Sequence, residues 1–375
     1  MSDLAKLFST IARIATVFSV SSVCALLLSA STAIAGSKSF EGMIEVTVDD
    51  REFEGRPLAW DEEVVHLLGR DGRFLSFDPK KVKEFRQTGQ QFRPYSTSKI
   101  RSMLLRELGS GFEVTGTSHY MVAHRKGQRD KWAERFEDLY RSFVRYFSVR
   151  GFKLEEPSFP LIAVVCRNQN EFMRLTAEQG VPVGRGILGF YSLKSNRITL
   201  FDRGENGSMS HGWQTTGSTI IHEATHQLAF NTGINSRYSP PPLWVAEGLA
   251  TLFEAPGVYD SSAYRSRDDR INRVRFTDFK KIPRTKNGEL PIALVASDGL
   301  FHSRPDISYA ESWAMTFYLV ETQPRRFMKY LKKTVGHRPF TKCASKQRIK
   351  DFTSVFGTDW RMFDAQFMRY MNELE

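Results

Sequence analysis

Two histidines four residues apart constrain this chain more than any other feature: His222 and His226, in the stretch Ile220-Ile221-His222-Glu223-Ala224-Thr225-His226-Gln227-Leu228. On an α-helix such residues stand one above the other, so that two imidazoles can address a single metal ion. Glu223 then projects beside that face. The pattern H-E-x-x-H is what a zinc hydrolase requires: two neutral imidazole ligands and a carboxylate that reaches a metal-activated water without binding the metal. The flanks agree with a helix. Thr216, Ser218 and Thr219 are N-cap candidates, apolar residues recur at Ile220, Ile221, Leu228 and Phe230, and Gly233 offers a stop. With eight histidines in the chain, the motif would arise by accident in roughly one such sequence in a hundred.

A second stretch, from Pro240 to Glu254, reads as a helix opening at a proline, where a missing N–H costs nothing. Glu247 and Glu254 lie two turns apart on one face of it. The small residues Ala246, Gly248 and Ala250 let another helix approach closely. A catalytic zinc site keeps three protein ligands and leaves a position for water, which makes Glu247 the third ligand and Glu254 the fallback.

His222 to His226 followed by Trp244-Val245-Ala246-Glu247-Gly248-Leu249-Ala250 resembles the gluzincin zinc metallopeptidases, in particular secreted bacterial proteins sharing H-E-A-T-H-Q and E-G-L-A. The likeness extends from about Arg93 to the C-terminus. It implies metal ligation by His222, His226 and Glu247, with Glu223 as general base. The longer pattern H-E-x-x-H-x-x-G-x-x-H is excluded by Ala229 and Thr232 at its last two marked positions. In proteins of this kind the strand ahead of the motif helix is a sheet edge to which substrate adds, which here puts Ile198 to Leu200 against a peptide. Many have a Tyr or His that donates to the oxyanion. Ser308-Tyr309-Ala310-Glu311 reads as a capping box opening a helix, and Tyr309 in its first turn fits that role. Tyr309, Trp313 and Phe317 also lie four apart, so Tyr309 equally begins a core stripe.

Lys6 and Arg13 precede an apolar run from Ile14 to Leu28, and Ala33-Ile34-Ala35 supplies small residues for cleavage. Residues 1–35 read as a secretory signal peptide, so the protein is expected to be periplasmic or extracellular. Removing Lys6, Arg13 and Asp3 with it turns 53 basic and 42 acidic residues into 51 and 41, net +10. Export makes nucleic acid an unsuitable partner for that charge. Anionic envelope polymers or lipid head groups match it better, and a solvated basic surface is the simplest account. Cys24 leaves with the leader; Cys166 and Cys343 allow one disulfide without requiring it.

The remainder reads as an α+β chain. Residues 36–92 are expected to make a small β module of the partly closed barrel kind, with strands near 43–48, 64–68 and 74–77, followed by a polar linker over 80–95. Residues 93–375 make a zincin-like domain: a mixed sheet, the motif helix and a helical C-terminal part. Its elements are a helix over 98–108, strands within 112–124, an aromatic amphipathic helix over 130–150, a strand over 160–166, and a hairpin over 189–201. A loop follows over 202–215, and 256–305 is loop-rich. His119 and His124 lack a carboxylate partner in sequence and read as ordinary strand residues. The expectation is a zinc peptidase acting on a peptide or protein. The alternative is a zincin-like binding or scaffold protein of the envelope that no longer turns over substrate. Oligomeric state is not encoded in any visible pattern.

Overall fold

The computed structural model describes residues 42–374 except 182, 185, 203–208 and 285–287; of residues 129–131 and 209–216 it describes the backbone alone. The expected signal peptide lies outside the described residues. The described chain divides into two compact units, one through Gly109 together with Ser192–Asn196, the other holding 110–191 and everything from Arg197. The boundary expected at residue 92 therefore falls at Gly109.

In the first unit, alternation of apolar and polar residues gives β1 (Gly42–Val48), β2 (Arg51–Trp60), β3 (Val65–Gly69), β4 (Phe74–Phe77) and β5 (Val82–Gln91). They form one antiparallel sheet in the order β4-β3-β2-β1-β5, with no pairing of β4 to β5 among the described residues, so it is an open sheet rather than a barrel. Asp49 and Asp50 both take positive φ (48° and 61°) and form the two-residue turn that joins β1 to β2 with the twist a hairpin needs. Gly55 is dictated by contact: a Cβ there would sit 2.3 Å from the Leu68 carbonyl oxygen. One face buries Ile44, Val46, Val48 and Leu67 against Phe53, Trp60, Leu75 and Phe77. The polar stretch expected as a linker is strand β5, whose side chains are mostly exposed. Its backbone pairing with β1 forms the strand, and no apolar alternation announces it. Helix α1 (Thr97–Leu108) is capped by Ser96.

The second unit carries β6 (Phe112–Gly116), β7 (Tyr120–Arg125), α2 (Arg129–Ser148), β8 (Leu161–Cys166), α3 (Gln169–Glu178), β9 (Gly189–Ser192) and β10 (Arg197–Phe201). The sheet is mixed, in the order β6-β7-β8-β10-β9: β6 and β7 run antiparallel, whereas β8 is parallel to both β7 and β10. Every residue of β8 and β10 is buried, as interior strands covered on both faces require. Strand β10 is flanked on both sides, which corrects the expectation that Ile198 to Leu200 form the sheet edge. The edge is β9.

Helices then dominate: α4 (Met209–Asn231), α5 (Leu243–Phe253), α6 (Arg273–Lys280), α7 (Glu289–Ala296), α8 (Pro305–Thr322), α9 (Pro324–Val335), α10 (Ser345–Phe356) and α11 (Trp360–Asn372), with short helical turns at Pro256–Tyr259 and Gly299–Ser303. None of the described helices is long and apolar enough to cross a membrane. Three expectations are corrected here. Thr216, Ser218 and Thr219 lie inside α4, which starts at Met209, within the expected loop. Residues 256–305 are largely short helices. Helix α8 opens at Pro305, so Ser308 caps nothing; its hydroxyl donates to the Arg304 carbonyl, and Glu311 is buried against Arg284 (2.9 Å). The architecture is α+β, an N-terminal β module preceding a mixed sheet and a helical C-terminal part. Cys166 and Cys343 are both free.

Candidate metal centre

Helix α4 is held over the sheet by Gln227, whose side-chain amide donates to the Ile162 carbonyl of β8 at 3.0 Å. It ends as expected: Gly233 takes φ +80°, a left-handed conformation that stops a helix. Helix α5 is buried along its whole length, as an all-round apolar sequence demands. Gly248 is the point of closest approach to α8; a Cβ there would lie 2.1 Å from Thr316 Oγ1 and 2.6 Å from the Ser312 carbonyl oxygen. The small residues of this helix thus serve the packing that fixes Glu247.

These two helices bring three candidate ligands together. His222 Nε2 and His226 Nε2 are 3.2 Å apart, and Glu247 Oε2 lies 3.3 Å from the first and 3.6 Å from the second. Glu247 is 1% exposed, and its Oε2 takes no aligned hydrogen bond from any described residue. A buried carboxylate oxygen in that state is costly unless a cation meets it. Burial alone would raise the Glu247 pKa, but contact with His226 and His222 holds it far below the usual carboxylate range. Burial would likewise lower His222, yet the Glu247 and Glu254 carboxylates raise it well above an ordinary imidazole. Two imidazole nitrogens and a carboxylate oxygen around one point match the donor set of a zinc ion.

Glu254, the fallback ligand, meets the opposite nitrogen: its Oε1 is 2.8 Å from His222 Nδ1. It therefore orients the imidazole rather than joining the three converging atoms. Sequence reasoning did not find its support. Asn272, the N-cap of α6, donates from Nδ2 to Glu254 Oε2 (2.8 Å) and to the Thr251 carbonyl (2.9 Å), while its Oδ1 accepts the Arg275 N–H (3.2 Å). An Asn before a helix is legible as a cap, not as a prop for a histidine 50 residues away. The nearby amides are engaged elsewhere: Gln227 binds β8, and Asn231 donates to the Gln227 carbonyl (2.7 Å).

Glu223 is buried beside the three, and its Oε2 accepts the backbone N–H of Tyr191 at 2.7 Å. Edge strand β9 therefore runs along this carboxylate, and Gly189 keeps it close: a Cβ there would touch Thr219, Leu200 and Glu223. A backbone donor has no side-chain signature, so this contact was not readable in advance. Tyr309 lies in the second turn of α8, not the first, and comes to the site nonetheless. Burial, then the charges of Glu247 and Glu223, push its phenol well above the usual range, so it stays protonated. The Arg275 guanidinium stands 5.2 Å from its ring centroid. The remaining histidines differ from expectation in one respect. His119 does have carboxylate partners, Glu137 Oε1 at 2.7 Å and Glu156 Oε2 at 3.7 Å, brought from α2 and the segment after it. His124 is buried and bonded to Thr115 and the Arg125 carbonyl.

A family model described as a protein of unknown function, DUF1570, matches residues 216–341, about a third of the chain, spanning His222, Glu247 and Tyr309. No curated protein matches the chain.

Proposed function

We propose that this protein is an exported zinc peptidase of the gluzincin type, with His222, His226 and Glu247 as the residues that hold the metal. The reading is carried by the buried Oε2 of Glu247, which takes no aligned hydrogen bond and faces two imidazole nitrogens. When bound there, zinc supplies Lewis-acid chemistry, acidifying water toward neutrality and polarising a carbonyl. Glu223 is the general base. The Tyr191 N–H occupies its Oε2, which leaves Oε1 to accept a proton from the attacking water and to deliver it to the departing amine. Tyr309, kept protonated by its surroundings, donates to the oxyanion that develops on the substrate carbonyl. Glu254, fixed by Asn272, holds the His222 ring in the tautomer that points Nε2 at the metal. Substrate is a peptide or protein, and the basic surface suits contact with anionic envelope polymers.

Zinc content per chain, by elemental mass spectrometry, is the direct test. One zinc lost on Glu247→Ala, combined with peptide hydrolysis abolished by Glu223→Gln at unchanged zinc content, is the expected result. A folded protein that takes up no zinc at His222, His226 and Glu247 when zinc is supplied would refute it.

A further inference from the structure

A second cluster of metal-ligating side chains converges far along the sequence from the first. His337 follows α9, Cys343 lies in the connection to α10, and Asp351 is in the second turn of α10. His337 Nε2 is 2.6 Å from Asp351 Oδ2 and 4.0 Å from Cys343 Sγ, and the three donor atoms all lie within 4.8 Å of one another. The carboxylate is buried and held in place, since Gln347, one turn earlier, donates to its Oδ1 at 2.8 Å. His337 and Cys343 are partly exposed, so the cluster is open to solvent on one side.

The donor count makes this more than an ion pair. Nε2 of an imidazole carries at most one hydrogen. If that hydrogen points to Asp351, the nitrogen has no lone pair for the thiol, whose one other contact is the Ala344 carbonyl at a long 3.9 Å. If it does not, the thiol can donate to the nitrogen at 4.0 Å, but the nitrogen and the ionised Asp351 oxygen then meet at 2.6 Å with no hydrogen between them. A divalent cation satisfies all three at once. We propose that His337, Cys343 and Asp351 form a second metal site, of thiolate, imidazole and carboxylate, for a borderline-soft ion such as zinc(II). On binding, the S–H bond breaks and its proton leaves to solvent; the thiolate and carboxylate then balance the two charges of the ion. Three protein donors leave a position for water on the open side. Because the ligands come from the end of α9, the connection and α10, the ion pins that connection.

Cobalt(II) titrated into the reduced full-length chain tests this with a readout that needs no substrate. The expected result is a thiolate-to-cobalt charge-transfer band that is present in the parent, saturates at one equivalent in His226→Ala, where the first centre is disabled, and is lost in Cys343→Ser. Gln347→Ala, which frees the carboxylate, should weaken that binding by about 10-fold or more. Cys343→Ser alters one partly exposed atom, and its thermal melt should overlay the parent's. Absence of the band in folded parent protein, its persistence in Cys343→Ser, or equal metal content in the two would overturn the proposal and leave an ordinary His337–Asp351 pair. Loss of metal from the His222 centre would leave this band in place, so the two sites fail separately.

Discussion

Single atoms carry most of the chemistry at the residue scale. Glu247 and Glu254 are the same residue type on one helix, yet they approach opposite nitrogens of His222. They should therefore respond differently to substitution. In a Cys343→Ser background, Glu254→Gln is expected to weaken zinc affinity by about 10- to 100-fold while one zinc still binds at saturation, as loss of an orienting partner does; competition with a chelator measures this. Loss of the metal outright would instead make Glu254 a ligand. Tyr309→Phe removes a protonated donor facing Glu247 and Glu223. It should lower kcat by about one to three orders of magnitude with zinc content unchanged, and an unaffected kcat would return Tyr309 to the core stripe. Both histidines and Glu223 were readable because their spacing is local, and Glu247 because its E-G-L-A stretch resembles a known family. Asn272 and the Tyr191 N–H were not, since each reaches the site from an element that sequence separation hides.

Element boundaries depended on packing more than on propensity. The stretch from Met209 to Thr215 reads as loop, but it is continuous with α4; tertiary context overrides weak local preference. Strand β5 lacks alternation because it is exposed on nearly all positions, and ladder pairing alone makes it a strand. The S-x-x-E pattern at Ser308 failed for a related reason: Glu311 is committed to Arg284 from the α6–α7 connection, an ion pair no local motif announces. Packing also dictates Gly248. Gly248→Val places atoms where Thr316 and Ser312 already stand, and overpacking of this kind costs about 1–3 kcal/mol or more. Urea midpoints should fall accordingly, and an unchanged midpoint would mean α5 and α8 are not seated as described. Proline at Thr199 would break pairing within the sheet interior, so it tests folding rather than substrate binding.

Across the whole molecule, hydrogen-bonded carboxylates such as Glu171 and Glu137 contribute to stability that acid removes. Burial pushes Glu171 upward, but hydrogen bonds from the Arg167 side chain and backbone outweigh it. Glu137 is likewise lowered on balance by Thr117 and His119. A carboxylate with a depressed folded pKa contributes stability that is fully present above its unfolded value and is lost as pH falls through the folded one. Glu171→Gln should thus be less stable than the parent at neutral pH. The gap should close below roughly pH 4, the ordinary carboxylate range; a gap that persists in acid would assign the loss to packing instead.

The sequence by itself determined the α+β class, the two helices of the candidate site, the core stripe of α2 and the placing of His222 and His226 on one helix face. These follow from periodicity and from spacings within a few turns, whereas the choice of Glu247 rests on the likeness of its E-G-L-A stretch to a known family. Tertiary structure alone decided which carboxylate faces which nitrogen, that β9 and not β10 is the sheet edge, and where the first unit ends. Those are facts of pairing between segments distant in the chain, and the energy that selects them lies in burial and long-range hydrogen bonds, which no local pattern records.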